Sequence, residues 1–258
     1  MELLWIHWAA IVGAGFLAGV VNAVVGSGTL ITFPVLLLSG HPPVVANVSN
    51  TVGLVGGGLA GTFGYRRELR EHGGTARLLL PVSLVGGMAG ALALLVLPPR
   101  AFAIVVPFLV ALGVVLVAVG PWLRGRGAAR ASERGVLDGG RRVVVCAVVL
   151  LLGAYGGYFG AAQGILIVGI MGLLTQASLQ SLNGLKNLLV TGVNIVAAVT
   201  FLVVAPDLID WRVVAAIAAG SIVGGAVGAR AGRRLPPSLL RGLIVVVGVV
   251  AIADLTLR

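Results

Sequence analysis

Long uncharged runs separated by short charged stretches divide the chain into eight hydrophobic segments: 8–38, 48–65, 77–97, 101–122, 143–174, 185–205, 212–229 and 238–257. About 20 apolar residues suffice for a helix to cross the roughly 30 Å hydrocarbon core of a bilayer, and most of these segments fit that length. Segments 8–38 and 143–174 do not. Each runs past 30 residues, about 46 Å as one straight helix at 1.5 Å per residue. Each also carries a glycine-rich interruption near its middle, Gly26-Ser27-Gly28 in the first and Gly156-Gly157-Tyr158-Phe159-Gly160 through Gln163-Gly164 in the second. They read as pairs of half-helices joined at membrane depth.

The two interrupted segments are related by an offset of 136, which aligns SGTLI at 27–31 with QGILI at 163–167. A polar helix start follows each, Asn47 to Thr51 and Asn183 to Asn187, and then two more hydrophobic segments. The organisation is therefore a first transmembrane repeat over 1–122, an arginine-rich linker over 123–142 and a second repeat over 143–258. Internal duplication of this kind is a mark of secondary transporters.

The basic residues fix an orientation, because arginine and lysine concentrate in cytoplasmic loops. If each interrupted segment is a re-entrant hairpin that returns to its own side, loops 66–77, 123–142, 174–186 and 230–241 share one face. They carry 15 basic residues against three (Arg100, Arg212 and Arg258) on the other. Eight full crossings would divide them 12 to 6 at best. The hairpin reading makes the repeats inverted copies and places the arginine-rich loops in the cytoplasm.

Composition excludes other classes. Hydrophobic residues are 59% and charged residues 10% of 258, with mean hydropathy +1.11. About 25% charged residues is usual for a soluble domain, so the chain lacks the charge to cover a water-facing surface. A net charge of +10 would suggest nucleic acid in a polar chain. Here the bases punctuate membrane segments, so no nucleic-acid role is expected. Glu2 stands where a secretory signal would carry a basic residue, so no cleaved signal is expected. Cys146 is a lone cysteine among valines and alanines.

Irregular backbone at membrane depth is tolerated only where it is buried in protein or lines a cavity. Two matched breaks are thus the best sequence pointer to a binding site. Half-helices starting near Gly28 and Gly164 would aim free N–H groups and positive dipole ends into the gap, which suits an anion. Ser27, Thr29 and Gln163 add side-chain donors. The alternative is that these glycines serve only close helix packing, which is the reading of Gly56-Gly57-Gly58-x-x-Gly61 and Gly224-Gly225. Lys186, the only lysine, lies among Leu185, Leu188, Leu189 and Val190. It is either a functional intramembrane charge or a residue snorkelling from a helix end. Asn22, Asn50, Asn187 and Asn194 are polar groups on apolar faces that line the path or join helices.

Catalytic readings fail on spacing. His7, His41 and His72 form no metal-ligand motif, and Ser27 in VGSGT lacks the G-x-S-x-G arrangement. Asp207 and Asp210 fall in a loop, and Asp254 is expected to pair at a helix end with Arg258, four residues on. No P-loop is present. Neither an enzyme, a cofactor nor a metal is expected.

The stretch GFLAGVVNAVVGSGTLITFPVLLLSGHPPVVANVSNTVG resembles the first repeat of the TauE/SafE (TSUP) sulfite-exporter-like permeases. GAYGGYFGAAQGILIVGIM with SLNGLKNLLVTGVN resembles the second copy, and the Trp211, Gly220, Gly224, Gly228 pattern extends the likeness over almost the whole chain. The chain departs from the family pattern at Ser27, where a further glycine is common, at Asn22, where an acid is common, and near Ala162 and Gln163. The resemblance implies a transporter of sulfur-containing anions.

The expectation is an all-α polytopic membrane protein of two inverted repeats, each a broken or re-entrant helix plus three transmembrane helices. It would export a small sulfite-like or organosulfur anion across the inner membrane. The substrate-binding set is Asn22, Gly26, Ser27, Gly28, Thr29, Asn50, Thr51, Tyr158, Gly160, Gln163, Gly164, Lys186, Asn187 and Asn194, with Lys186 as counter-charge. Coupled uptake and a non-transporting membrane subunit are the competing readings. The expected partners are the anionic substrate and the lipid bilayer, with a homo-oligomer left open.

Overall fold

The computed structural model describes residues 2–71, 73–131, 139–174 and 179–231, together with 242, 244–246 and 249. The predicted segment 238–257 lies almost entirely outside the described residues, as do 132–138 of the linker. The secondary structure of the described residues is all helical: α1 (Glu2–Val24), α2 (Thr29–Leu38), α3 (Pro43–Gly64), α4 (Arg66–Glu71), α5 (Gly73–Val96), α6 (Pro99–Ala131), α7 (Gly139–Tyr158), α8 (Gln163–Leu174), α9 (Leu179–Val204), a 3₁₀ turn (Pro206–Leu208) and α10 (Trp211–Ala231). Six of these helices are long and apolar enough to cross a membrane.

Each interrupted segment is a helical hairpin. The Gly28 N–H donates to Asn22 Oδ1 at 2.7 Å, so the chain has turned back beside α1 within six residues. The rings of His7 and His41 stack with centroids 6.3 Å apart, which returns the end of α2 to the start of α1. In the second hairpin, Gln163 Nε2 donates to Leu152 O at 2.9 Å, again folding the chain back. The halves of each hairpin are unequal. Helix α1 is a full 23 residues while α2 has 10, because the glycine break follows a complete apolar helix rather than bisecting the segment.

Running directions follow from close approaches between glycines and neighbouring backbones. Glycines 15 and 19 of α1 lie against Ile217 and Ser221 of α10, and Gly53 and Gly57 of α3 against the same two residues, so α1, α3 and α10 run in parallel. Gly86 and Gly90 of α5 pack on Leu150 and Ala154 of α7, which also run in parallel. Helix α9 runs opposite to α3, with Gly58 against Thr191 and Gly184 against Tyr65. Two bundles result, α1–α3–α10 and α7–α9–α5, each built from both halves of the sequence. Small residues at these contacts let backbones approach closely, which is how helices associate where lipid is as apolar as the interface.

One face carries His41 and the α10 start, where His41 Nε2 lies 3.7 Å from Asp210 Oδ2 and Asp210 Oδ1 accepts the Arg212 and Val213 N–H groups. The opposite face carries α4 with Arg66, Arg67 and Arg70, and the end of α10 with Arg230. They are called the histidine and arginine faces below.

The polar clusters are not helix starts. Helix α3 begins at Pro43, its proline supplying the preset φ that suits a first helical position, and α9 is already helical at Leu179. Residues 47–51 and 183–187 therefore lie inside the helices. Asn47, Ser49, Asn50, Thr51, Lys186 and Asn187 are buried, because these turns face protein rather than water.

Candidate functional site

Both hairpins turn by the same device. Val25 and Gly26 donate their N–H groups to Val21 O, and Phe159 and Gly160 donate theirs to Tyr155 O. The second donor is in each case a glycine of positive φ, +86° at Gly26 and +75° at Gly160. This left-handed residue past a helix end satisfies carbonyls that the helix leaves open. The second break is left-handed once more at Ala162, φ +60°, the sole non-glycine of positive φ among the described residues. Ala162 is also fully buried. A β-branched side chain is a genuine outlier there, so Ala162→Val is expected to lower stability by about 2 kcal/mol or more, by strain and overpacking. Ala162→Gly trades relieved strain against a lost methyl and greater unfolded-chain entropy, and is expected to stay within about 1 kcal/mol of the parent. Thermal unfolding of the detergent-purified variants checks the pair.

The two breaks touch. The Gly164 N–H donates to Gly26 O at 3.1 Å, and a Cβ on either glycine would lie 2.6 Å from the other's Cα. The intervening gap read from the sequence is closed in this conformation. Lys186 seals the same point. Its side chain is wholly buried and its Nζ donates to Asn22 O at 2.9 Å and Ala23 O at 3.1 Å, while Asn187 Nδ2 adds a bond to Ala23 O at 3.2 Å. Those carbonyls belong to the last turn of α1, where a helix leaves its C=O groups without internal partners. A cation there also complements the negative end of the dipole. Lys186 thus does not snorkel. It lies about 10 Å along α9 from Leu179, at 1.5 Å per residue, and its ammonium caps a helix of the other half. A related cap occurs at the second hairpin, where Asn47 Nδ2 of α3 donates to Tyr158 O at 2.9 Å.

The starts of α2 and α8 differ in what they leave available. At α8, Gln163, Gly164 and Ile165 donate their N–H groups to Gly160 O, Gly26 O and Ala162 O. Gln163 is folded onto α7, and its Oε1 is buried without a partner. At α2, Gly28 N–H is held by Asn22, but among the described residues the N–H groups of Ser27 and Thr29 meet no acceptor. Ser27 is 1% exposed, and its Oγ likewise has no partner. Asn50 completes this corner. Its Oδ1 accepts from the Thr32 hydroxyl, and its Nδ2 faces Thr29 Oγ1 at 3.5 Å, the outer limit of a hydrogen bond. Buried donors at the start of a helix, with the dipole behind them, have the chemistry that suits an anion.

The predicted residues therefore separate. Asn22, Gly26, Ser27, Gly28, Thr29 and Asn50 form one corner, tied by Lys186, Asn187 and Gly164 to the second half. The Gly26, Gly28, Gly160 and Gly164 amides are engaged within the protein, so they are not the free donors their spacing suggested. Thr51 bonds back to Asn47 O on its own helix. Tyr158 offers its carbonyl to Asn47 and packs its ring on Phe102 at 5.6 Å. Asn194 is half-buried farther along α9 and makes no hydrogen bond among the described residues.

Two contributions escaped the sequence reading. Thr32 joins α2 to Asn50, and the available signal was a hydroxyl one turn after Gly28 within an apolar run. The other is a buried aromatic layer one turn from Thr29 toward the histidine face, with Phe33 edge-on to Phe159 at 5.0 Å and to Phe102 at 6.4 Å. Phe102 and Phe159 come from distant segments, which is why spacing gave no hint of it.

Residues 11–255 match the family described as sulfite exporter TauE/SafE. The probable membrane transporter protein ORF9 of a Sinorhizobium species is 28% identical, over 92% of this chain and 87% of its own length. A probable membrane transporter protein of Haemophilus influenzae is 26% identical over 90% and 88%. The probable membrane transporter protein YfcA of Escherichia coli K12 is 27% identical over 93% and 86%. No solved structure matches the chain.

Proposed function

The chain belongs to the sulfite exporter TauE/SafE family of membrane transporters, and from that premise we propose that it exports a small sulfite-like or organosulfur anion bound at the start of α2. The observation that carries this reading is the set of buried donors there that meet no acceptor among the described residues, the Ser27 hydroxyl with the Ser27 and Thr29 N–H groups. A sulfite or sulfonate headgroup presents three acceptor oxygens to such a set. Thr29 Oγ and Asn50 Nδ2 are the adjoining donors. Lys186, through the α1 carbonyls it holds, places a positive charge beside the corner without being the first contact.

In the reaction cycle we infer, the closed pairing of Gly26 with Gly164 is the occluded state, and the anion reaches or leaves α2 when the hairpins part. Support for inverted halves comes from the exchanged packing, α1 on α10 and α7 on α5, and from the opposed directions of α3 and α9. Support for a cytoplasmic arginine face comes from the basic residues gathered on α4 and at the end of α10. With that orientation, outward movement of a monoanion is driven by about 2.3 kcal/mol per 100 mV of inside-negative potential, so no ATP is required.

Purified protein in liposomes loaded with labelled sulfite, sulfoacetate or thiosulfate tests the reading. Efflux of at least one anion should exceed that of empty liposomes and quicken under an inside-negative potential. If none leaves faster than from protein-free liposomes, the exporter reading fails. Accumulation against the potential with a proton gradient would replace it with coupled uptake.

A further inference from the structure

On the arginine face, outside the corner at α2, an open groove of about 560 Å³ lies between the last turns of α3 and helix α4, lined by Leu59, Thr62, Phe63, Arg66, Leu69 and Arg70. Its composition is divided. Leu59 and Phe63 are 52% and 66% exposed on a membrane-crossing helix, so they face lipid. Arg66 and Arg70 stand at the mouth, just past the end of that crossing, at the depth of lipid headgroups. We propose that this groove binds an anionic phospholipid, its phosphate between Arg66 and Arg70 and an acyl chain along Phe63 and Leu59.

Three features carry the assignment. Two like charges at i and i+4 of one helix repel and weaken it, and among the described residues no acidic side chain lines the groove to offset them. Glu68, the acid between them, is not among the groove's lining residues and has its Cβ against α9, 3.6 Å from the Cβ position of Gly184. A bound phosphate supplies the missing negative charge. Arg66 is also preorganised for one: its guanidinium lies 4.4 Å over the Phe63 ring and donates one N–H to Phe63 O at 3.2 Å. This leaves its remaining donors at the groove mouth, in the fork geometry that suits phosphate oxygens. The apolar floor below the two arginines then selects a lipid over a free anion. Basic groups beside a membrane surface recognise anionic headgroups by this chemistry.

Native mass spectrometry of the full protein, titrated in neutral detergent with phosphatidylglycerol or phosphatidylcholine, tests the site. Phosphatidylglycerol should be retained at least tenfold better, and the Arg66→Gln/Arg70→Gln variant should lose that preference while Arg230→Gln, an exposed base on the same face, keeps it. Soluble glycerophosphoglycerol in excess should not displace the lipid. Equal retention of the two lipids, an unchanged preference in the double variant, a matching loss in Arg230→Gln, or displacement by the soluble headgroup would each overturn the proposal. An unchanged elution volume and melting temperature for the double variant are expected, and Arg66→Lys/Arg70→Lys, which keeps the charge, should restore most of the preference if folding is disturbed.

Discussion

Replacing Lys186 with methionine is expected to lower stability by several kcal/mol and to reduce anion flux at least tenfold. The ammonium is buried and holds the carbonyls of Asn22 and Ala23. Methionine keeps the length and apolar stem but leaves Ala23 O with Asn187 alone and takes the ammonium from Asn22 O, and an unsatisfied buried polar group costs about 1–3 kcal/mol. Release of the α1 end also frees Asn22, whose Oδ1 fixes the Gly28 N–H and with it the start of α2. Arginine is not expected to rescue the function, because the Lys186 stem already lies against Gly26 and Gly164, where a Cβ on either would meet Cδ at 2.9 Å. Thermal unfolding in detergent and liposome flux together check this. A stable Lys186→Met protein with full flux would mean that the cap carries neither fold nor transport.

Gly164→Val is expected to be as severe and by a different route. Its Cβ would fall 2.6 Å from Gly26 Cα and 2.9 Å from Gly26 O, which are backbone atoms without freedom to yield. Overpacking of this kind costs about 1–3 kcal/mol even where side chains can adjust, and here the Gly164 N–H to Gly26 O bond is lost as well. The hairpins would be held apart, which removes the closed pairing that the proposed cycle takes as its occluded state. Flux in liposomes should fall to background, with the protein eluting less stably from size-exclusion chromatography. Retention of normal flux would show that the breaks need not meet during transport.

The hairpins were legible in the sequence because a segment beyond 30 residues with glycines inside it has few physical solutions, and the 136-residue offset tied the two together. The length of α1 was less so: an apolar run does not say where within it a break will fall. Lys186 illustrates the main loss. With α9 read as starting near Asn183, the lysine belongs to a first turn and can reach water. Helix α9 is already formed at Leu179, about two turns before the lysine, which moves it into the protein, and only packing against the other half reveals the carbonyls it holds. The Pro42-Pro43 pair was a usable signal for the earlier start of α3. The difference between the α2 and α8 starts was not legible, because Ser27 and Gln163 occupy matching positions and both carry donors. Their hydrogen bonds, set by tertiary contact, separate a donor left open from an amide folded onto α7.

That difference is also where the central claim is most exposed. Sulfite binding to the detergent-purified protein, measured by isothermal titration for the parent, Ser27→Ala and Gln163→Ala, tests it directly. A hydrogen bond to a charged group is worth about 1.5–3 kcal/mol, so Ser27→Ala should weaken binding tenfold or more while Gln163→Ala leaves it within twofold. Equal affinity in Ser27→Ala and the parent, or the larger loss in Gln163→Ala, would contradict an anion site at the start of α2.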